Sequence, residues 1–204
     1  MFFINIDGPN GAGKSTFIKE VVKNIQSKRP DLKIYVQHFH RRDTLIGQTI
    51  QKVLNGEYKI DTYALQHLYS VDRLDFTKIK YKELFKSYDV LISDRYNTSS
   101  IAYGMSQYLD TNILIDFDKY CVKPDKNIIL NATVPTLISR LKTAKLNEGE
   151  TSDIFEQESK LIKIVAAFDK LVDLIPNCIK LDVTNGVYTY IDYVSDIIIK
   201  GVKK

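Results

Sequence analysis

Two kinds of apolar pattern alternate along the chain. Short runs with no in–out alternation occupy Phe2–Ile6, Lys33–Val36, Val90–Ser93, Asn127–Leu130 and Cys178–Asp182. Runs of this kind predict strands covered on both faces. Between them, apolar residues recur every three or four positions, the helical spacing. Phe17, Val21, Val22 and Ile25 mark a helix over Thr16–Ile25, and a second over Thr44–Leu54 is stopped by Gly56. Asp61 is placed to N-cap one long helix reaching about Lys86 and carrying Leu65, Leu68, Val71 and Ile79. Further helices are expected over Thr98–Gln107, Asn112–Tyr120, Thr136–Ala144, Ile154–Leu174 and Tyr188–Lys200, with a polar loop, Lys145–Asp153, between the fourth strand and the longest of these.

Strands that alternate with helices specify a parallel sheet, here of five strands, with helices on both faces. Right-handed crossovers leave few topologies. Ligands then lie beyond the carboxyl ends of the strands. Two polar clusters, Asp7–Ser15 and Asp94–Tyr96, fall on that rim.

Composition changes little. The 204 residues fit one domain spanning 1–204, with no linker-like tract or repeat. A net charge of +4 is too small to argue for nucleic acid. Cys121 and Cys178 stand far apart without a CxxC, so both are expected to be reduced, buried thiols. The N-terminus shows no signal-peptide pattern, and no apolar run is of membrane-spanning length. A cytoplasmic protein without membrane contact is the expectation.

The rim carries the chemistry. Gly8-Pro9-Asn10-Gly11-Ala12-Gly13-Lys14-Ser15 is a complete G-x-x-x-x-G-K-S between a strand and a helix. By chance the spacing would arise in roughly one per cent of chains of this size. Such a loop turns backbone N–H groups of Gly8, Asn10, Gly11, Ala12, Gly13, Lys14, Ser15 and Thr16 toward phosphate, and the helix N-terminus adds its positive end. Lys14 would reach the outer phosphates, and the Ser15 hydroxyl would ligate Mg²⁺.

Asp94 ends an apolar strand, the place for an acid that orients Mg²⁺, directly or through water; an N-cap for the next helix is its other reading. Arg41, Arg42, Arg73 and Arg95 lie at strand ends or in the helix inserted at the rim, and arginine's planar donors suit phosphate and base edges. Phe39, Tyr69, Tyr96 and Tyr103 lie close to them, and an aromatic face with a guanidinium suits a nucleobase carrying phosphate. Core packing is the other role open to Phe39 and Tyr69. No Ser-His-Asp set and no metal-ligand spacing of His38, His40 and His67 is present, and phosphoryl transfer needs neither.

On these residues the chain resembles the thymidylate kinase family of nucleoside monophosphate kinases, nearly end to end. Asp94-Arg95-Tyr96-Asn97-Thr98-Ser99-Ser100-Ile101-Ala102-Tyr103 is similar to that family's DRYxxSSxAY signature. Tyr69-Ser70-Val71-Asp72-Arg73 resembles its base-binding segment, and Phe39 with Arg42 resembles its FPxR element. Lys123-Pro124-Asp125 matches its PD turn, and Asp153–Glu158 resembles the end of its lid.

The resemblance implies a three-layer α/β P-loop kinase fold with a short lid at about 140–155. It implies ATP and Mg²⁺ at Lys14, Ser15 and Asp94, with Lys14, Arg95 and the lid's Arg140 as catalytic cations. The acceptor nucleotide would be held by Asn10, Phe39, Arg42, Tyr69, Arg73, Arg95, Ser99, Tyr103 and Phe155. A homodimer packed through helices is also implied, and phosphorylation of dTMP is the expected activity. Departures from the family pattern are Asn10 for a loop acid, Gly11 where some members have arginine, His40 for proline, Gly104 for glutamine and Ile154 where arginine is frequent. The alternatives are a deoxynucleoside kinase, a kinase of another monophosphate, a weakly active nucleotide-binding homologue and an NTPase switch.

Overall fold

The computed structural model describes residues 1–146 and 154–202, with side chains described outside 144–157. Five parallel strands form one sheet: β1 (Phe2–Asp7), β2 (Ile34–His38), β3 (Val90–Asp94), β4 (Lys126–Asn131) and β5 (Cys178–Asp182), in the order β2-β3-β1-β4-β5. From β1 the chain crosses to one side of the sheet, and from β3 it crosses back over β1 to β4. The order therefore reverses between β1 and β3, where the carboxyl ends part to leave a crevice. Register sets Ile6 beside Asp94, and His38 beside Asp94 on its other side. The acids Asp7 and Asp94 thus end neighbouring strands at that crevice.

The central strands bury both faces because successive side chains point opposite ways. Ile4, Ile6, Val90, Ile92, Ile128 and Leu130 pack on one side against α1 (Lys14–Lys28) and α9 (Ile191–Gly201), through Phe17, Val21, Ile25, Val194 and Ile198. On the other side, Ile129 meets α5 (Asn97–Ser106) and α8 (Ile154–Leu174), where Ile101, Phe168 and Leu171 are fully buried. Phe3 and Leu91 join an aromatic cluster with Phe39, Phe76 and Tyr96. The edge strands β2 and β5 are only partly covered, unlike the uniform burial their apolar residues suggest.

The expected long helix from Asp61 is two helices, α3 (Thr62–Lys78) and α4 (Lys80–Ser87), broken at Ile79. Asp61 does cap α3, accepting from the N–H groups of Tyr63 and Ala64 at 2.8 and 3.4 Å. Val71 and Ile79 are exposed, whereas Gln66, Ser70, Asp72 and Arg73 are buried. The inserted helix therefore turns a polar side inward. Helix α2 (Leu45–Leu54) begins at a Thr44 cap, and α6 (Thr111–Asp116) stops short of Tyr120. A 3₁₀ turn, Tyr188–Tyr190, precedes α9. Both cysteines are free, with Cys121 buried and Cys178 half-buried; burial pushes their thiols up to about 12 and about 11. Among the described residues no helix is long and apolar enough to cross a membrane.

Phe168 is fully buried between α5, α8 and the sheet. Phe168→Ala is expected to destabilise the protein by about 3–5 kcal/mol, read as a shift of the urea midpoint with little change in slope.

Candidate active site

The first turn after β1 has to bend hard against β4, and only glycine fits there. A Cβ on Gly8, at φ +144°, would lie 2.1 Å from the Leu130 carbonyl oxygen. Gly11, at φ +83°, has the Leu137 carbonyl of α7 (Val134–Leu146) in the same relation at 2.9 Å. Close approach of α7 therefore leaves no room for the arginine that some relatives of this pattern carry at that position. The loop ends on Gly13, and α1 starts with no side-chain cap and no acid in its first turn. Its N-terminus is left to an anion. Ser15 and Thr16 stand exposed on that turn, while Lys14 is buried. Lys14 Nζ donates to the carbonyls of Gly8 and Pro9 at 3.0 and 2.9 Å. Burial, and then Arg95, pull its ammonium down to about 7 against the opposing pull of Asp7 and Asp94.

Asp7, which the sequence pattern marks only as a strand-end polar residue, is the centre of the site. Its fully buried carboxylate accepts from the Gly8 N–H at 2.8 Å, the Tyr96 N–H at 3.3 Å, and the hydroxyls of Thr98 and Ser99 at 2.6 Å each. Arg95 Nη1 lies 3.7 Å away. Arg95 itself adopts φ +68° and donates to Ser99 Oγ at 3.0 Å and to Asn10 Oδ1 at 2.5 Å. One carboxylate thus ties the phosphate loop to the Arg95 segment.

Asp94 faces His38, whose Nδ1 is 3.1 Å from Oδ2. Burial pushes the Asp94 pKa up, but the His38 hydrogen bond and the charges of His38, Lys14 and Arg95 outweigh it and hold it below the usual carboxylate range. The other oxygen, Oδ1, is buried with no hydrogen-bond partner. An ionised, orphaned oxygen within charge range of Lys14 fits a divalent cation better than a helix cap. Helix α5 has no side-chain cap from this residue, and Tyr96 stands at its cap position.

Beside the loop lies a cavity of about 530 Å³. Asn10, Phe39, Arg42, Tyr69, Arg73, Arg95, Ser99 and Tyr103 all line it. Every expected acceptor-site residue with a described side chain is therefore on one wall or another of a single cavity. Phe155 and Ile154 lie outside the described side chains, as residues 147–153 of the expected lid lie outside the described residues. Phe39 both lines the cavity and packs edge-on against Phe76 and Tyr96, with centroids 5.1 Å apart in each pair. Packing and cavity lining therefore coincide in this one side chain.

The two neighbouring arginines separate. Arg42 is exposed at the cavity, whereas Arg41 is buried, paired with Asp72 and Asp75 at 2.8 Å each. Arg73 is held by Asp118 through Nε and Nη2, at 3.0 and 2.8 Å, and donates from Nη1 to Ser100 at 2.9 Å. Three of its five N–H donors are used, so two remain. Arg140 departs from expectation. It sits in the body of α7, donating to the carbonyls of Val183, Thr184 and Gly11 at 2.7, 3.1 and 3.5 Å, and it is absent from the cavity wall. Two carbonyls just beyond β5 and one in the phosphate loop hold it against the donor side of that loop. Asp7, Asp118 and His38 are contributions that spacing could not reveal, because Tyr96, Arg73 and Asp94, with which they pair, lie tens of residues away.

Comparison with known proteins agrees with this geometry. The sequence model of the family described as Thymidylate kinase matches residues 6–189. The chain belongs to the thymidylate kinase family. A probable thymidylate kinase of Methanocaldococcus jannaschii is 32% identical over 184 residues, covering 89% of this chain and 87% of that protein. A second, from Thermococcus kodakarensis, is 32% identical and covers 78% of this chain and 80% of its own. The thymidylate kinase structure from Candida albicans superposes with a TM-score of 0.75 at 23% identity, over 99% of this chain and 93% of that one. At that identity the superposition shows the fold alone, a P-loop kinase fold. Thymidylate kinases are phosphotransferases that take ATP as donor and bind nucleotide substrates.

Asp7→Asn replaces one acceptor oxygen by a donor amide facing other donors. We expect a loss of about 1–3 kcal/mol in stability, measured by chemical denaturation, with Ser99→Ala costing less because Asp7 keeps the donors of Gly8, Tyr96 and Thr98.

Proposed function

We propose that this protein transfers the γ-phosphoryl group of ATP to dTMP, giving dTDP and ADP, in the cytoplasm and with Mg²⁺. The observation that carries the reading is the single cavity that gathers Arg42, Tyr69, Arg73 and Arg95 beside the uncapped loop of Lys14. A phosphate oxygen of dTMP forms the new P–O bond in line, and the bond from the γ-phosphorus to the β,γ-bridging oxygen breaks, so ADP leaves with that electron pair. Lys14 and the first-turn amides of α1 hold the donor phosphates. Arg95, anchored on Ser99 and Asn10, and Arg42 hold the acceptor phosphate. Ser15 and the free oxygen of Asp94 would hold Mg²⁺, which supplies charge neutralisation on the phosphates. Tyr69 offers a face for the base, and Arg73 directs its two remaining donors at a base carbonyl. Arg140, fixed against Gly11 and the exit of β5, supports the donor side of the loop.

The test is ADP release with a panel of nucleosides and nucleoside monophosphates. Turnover with dTMP is expected; release with every acceptor except dTMP would sink the reading. Arg42→Ala should impair dTMP turnover at least about tenfold more than thymidine turnover, as a charge-assisted phosphate contact is lost. Equal impairment would favour a deoxynucleoside kinase. Asp118→Ala frees the Arg73 guanidinium to turn away, and should raise KM for dTMP about tenfold or more while leaving KM for ATP unchanged, as seen in initial-rate kinetics.

A further inference from the structure

Helices α3 and α5 both line the acceptor cavity and run antiparallel. The Asp110 N–H, just beyond α5, donates to the Tyr63 hydroxyl at 3.1 Å, and Arg73 Nη1 donates to Ser100 Oγ at 2.9 Å. Between these two ties, α3 turns Gln66, Tyr69 and Arg73 to the cavity, at the i, i+3 and i+7 spacing of one helix face. Gln66 is 2% exposed, and its Oε1 is buried without any hydrogen-bond partner. Five side chains among the described residues leave a buried oxygen unpaired in this way, and of these Gln66 alone lines the cavity. A buried amide oxygen left unpaired is costly. Gln66 lines the cavity, so a ligand bound there can supply, after a small turn of the amide, the partner that the protein does not.

The other polar atoms narrow what that partner is. The cavity is rich in donors, from Arg42, Arg73 and Arg95. Among the acceptors that share it, Asn10 Oδ1 and Ser99 Oγ are engaged by Arg95, Ser100 Oγ by Arg73 and Gln51 Oε1 by His40 at 3.2 Å, whereas Gln107 is exposed to solvent. The imide edge of thymine presents a carbonyl, one N–H and a second carbonyl. Arginine can serve the carbonyls, and the N–H needs an acceptor. We propose that Gln66 is a specificity-determining residue whose Oε1 accepts the N3–H of the acceptor thymine, beside the carbonyl taken by Arg73. Bases with an exocyclic amine in place of that carbonyl then meet the Arg73 donors head-on, and the neighbouring amide cannot correct the mismatch.

The inference rests on dTMP being the acceptor. Its test compares dTMP with N3-methyl-dTMP, which lacks the N–H, by initial rates and by binding calorimetry, in the wild type and in Gln66→Met, with Gln66→Leu as a second variant. The wild type should favour dTMP at least about tenfold, and both variants should narrow the ratio to about threefold or less, through KM rather than kcat. Melting temperature should not fall, since an unpaired buried polar group has been replaced by an apolar one. An unchanged ratio, or a variant that uses dTMP better than the wild type, overturns the proposal while dTMP turnover stands. Loss of both ligands with a lowered melting temperature would make Gln66 structural support and also overturns it. A wild type that neither binds nor phosphorylates dTMP refutes the acceptor reading itself.

Discussion

A carboxylate with no exposure has to find donors, and Asp7 finds them on both sides of the crevice at once. Gly8 supplies one from the phosphate loop, and Tyr96, Thr98 and Ser99 supply the rest from the start of α5. The bonds fix two elements that the chain brings together from 89 to 92 residues away. Because β1 and β3 are hydrogen-bonded neighbours, their ends are already side by side, and Asp7 converts that adjacency into a defined spacing. Lys14 and Arg95 are the cations on either side of that tie. The position at which a phosphoryl group would pass between two nucleotides is thereby set by one buried acid that touches neither.

The same logic explains the inserted helix α3. Its inward side is polar, and the polar groups are mostly paired: Arg73 with Asp118 and Ser100, Ser70 with the Phe117 carbonyl at 2.6 Å, Asp72 with Arg41. Buried ion pairs contribute little net stability, since desolvation consumes most of the attraction. Their effect here is orientation. Arg41 is committed to Asp72 and Asp75, which leaves the adjacent Arg42 as the arginine that reaches the cavity. Asp118 gives Arg73 a planar, two-point anchor, so its remaining donors point one way.

The parallel sheet and the phosphate loop were legible because each is encoded locally. Apolar runs define the strands, and Gly8 through Ser15 are contiguous. The resemblance of short segments grouped Phe39, Tyr69, Arg73 and Tyr103, and these four do share one cavity. What spacing could not supply is pairing at a distance. Asp118 is an unremarkable acid in a polar segment until Arg73 is folded against it. Ile79 gives no breaker signal, yet α3 ends just before it and α4 starts just after it. Arg140 lay near an expected loop in sequence, whereas the carbonyls of Val183 and Thr184, just beyond β5 and more than forty residues on, fix it to the body of the protein.

Asn10 shows how one such pairing alters the chemistry of a shared fold. Its amide oxygen accepts from Arg95 Nη2, so the loop still orients that guanidinium as an acid would. An amide carries no charge, however, and Asp7 at 3.7 Å is then the carboxylate that balances Arg95. A second acid at position 10 would share the arginine's charge between two carboxylates before any ligand arrived. With the amide, more of that charge is left for the acceptor phosphate. Orientation and neutralisation of Arg95 are thus separated between Asn10 and Asp7.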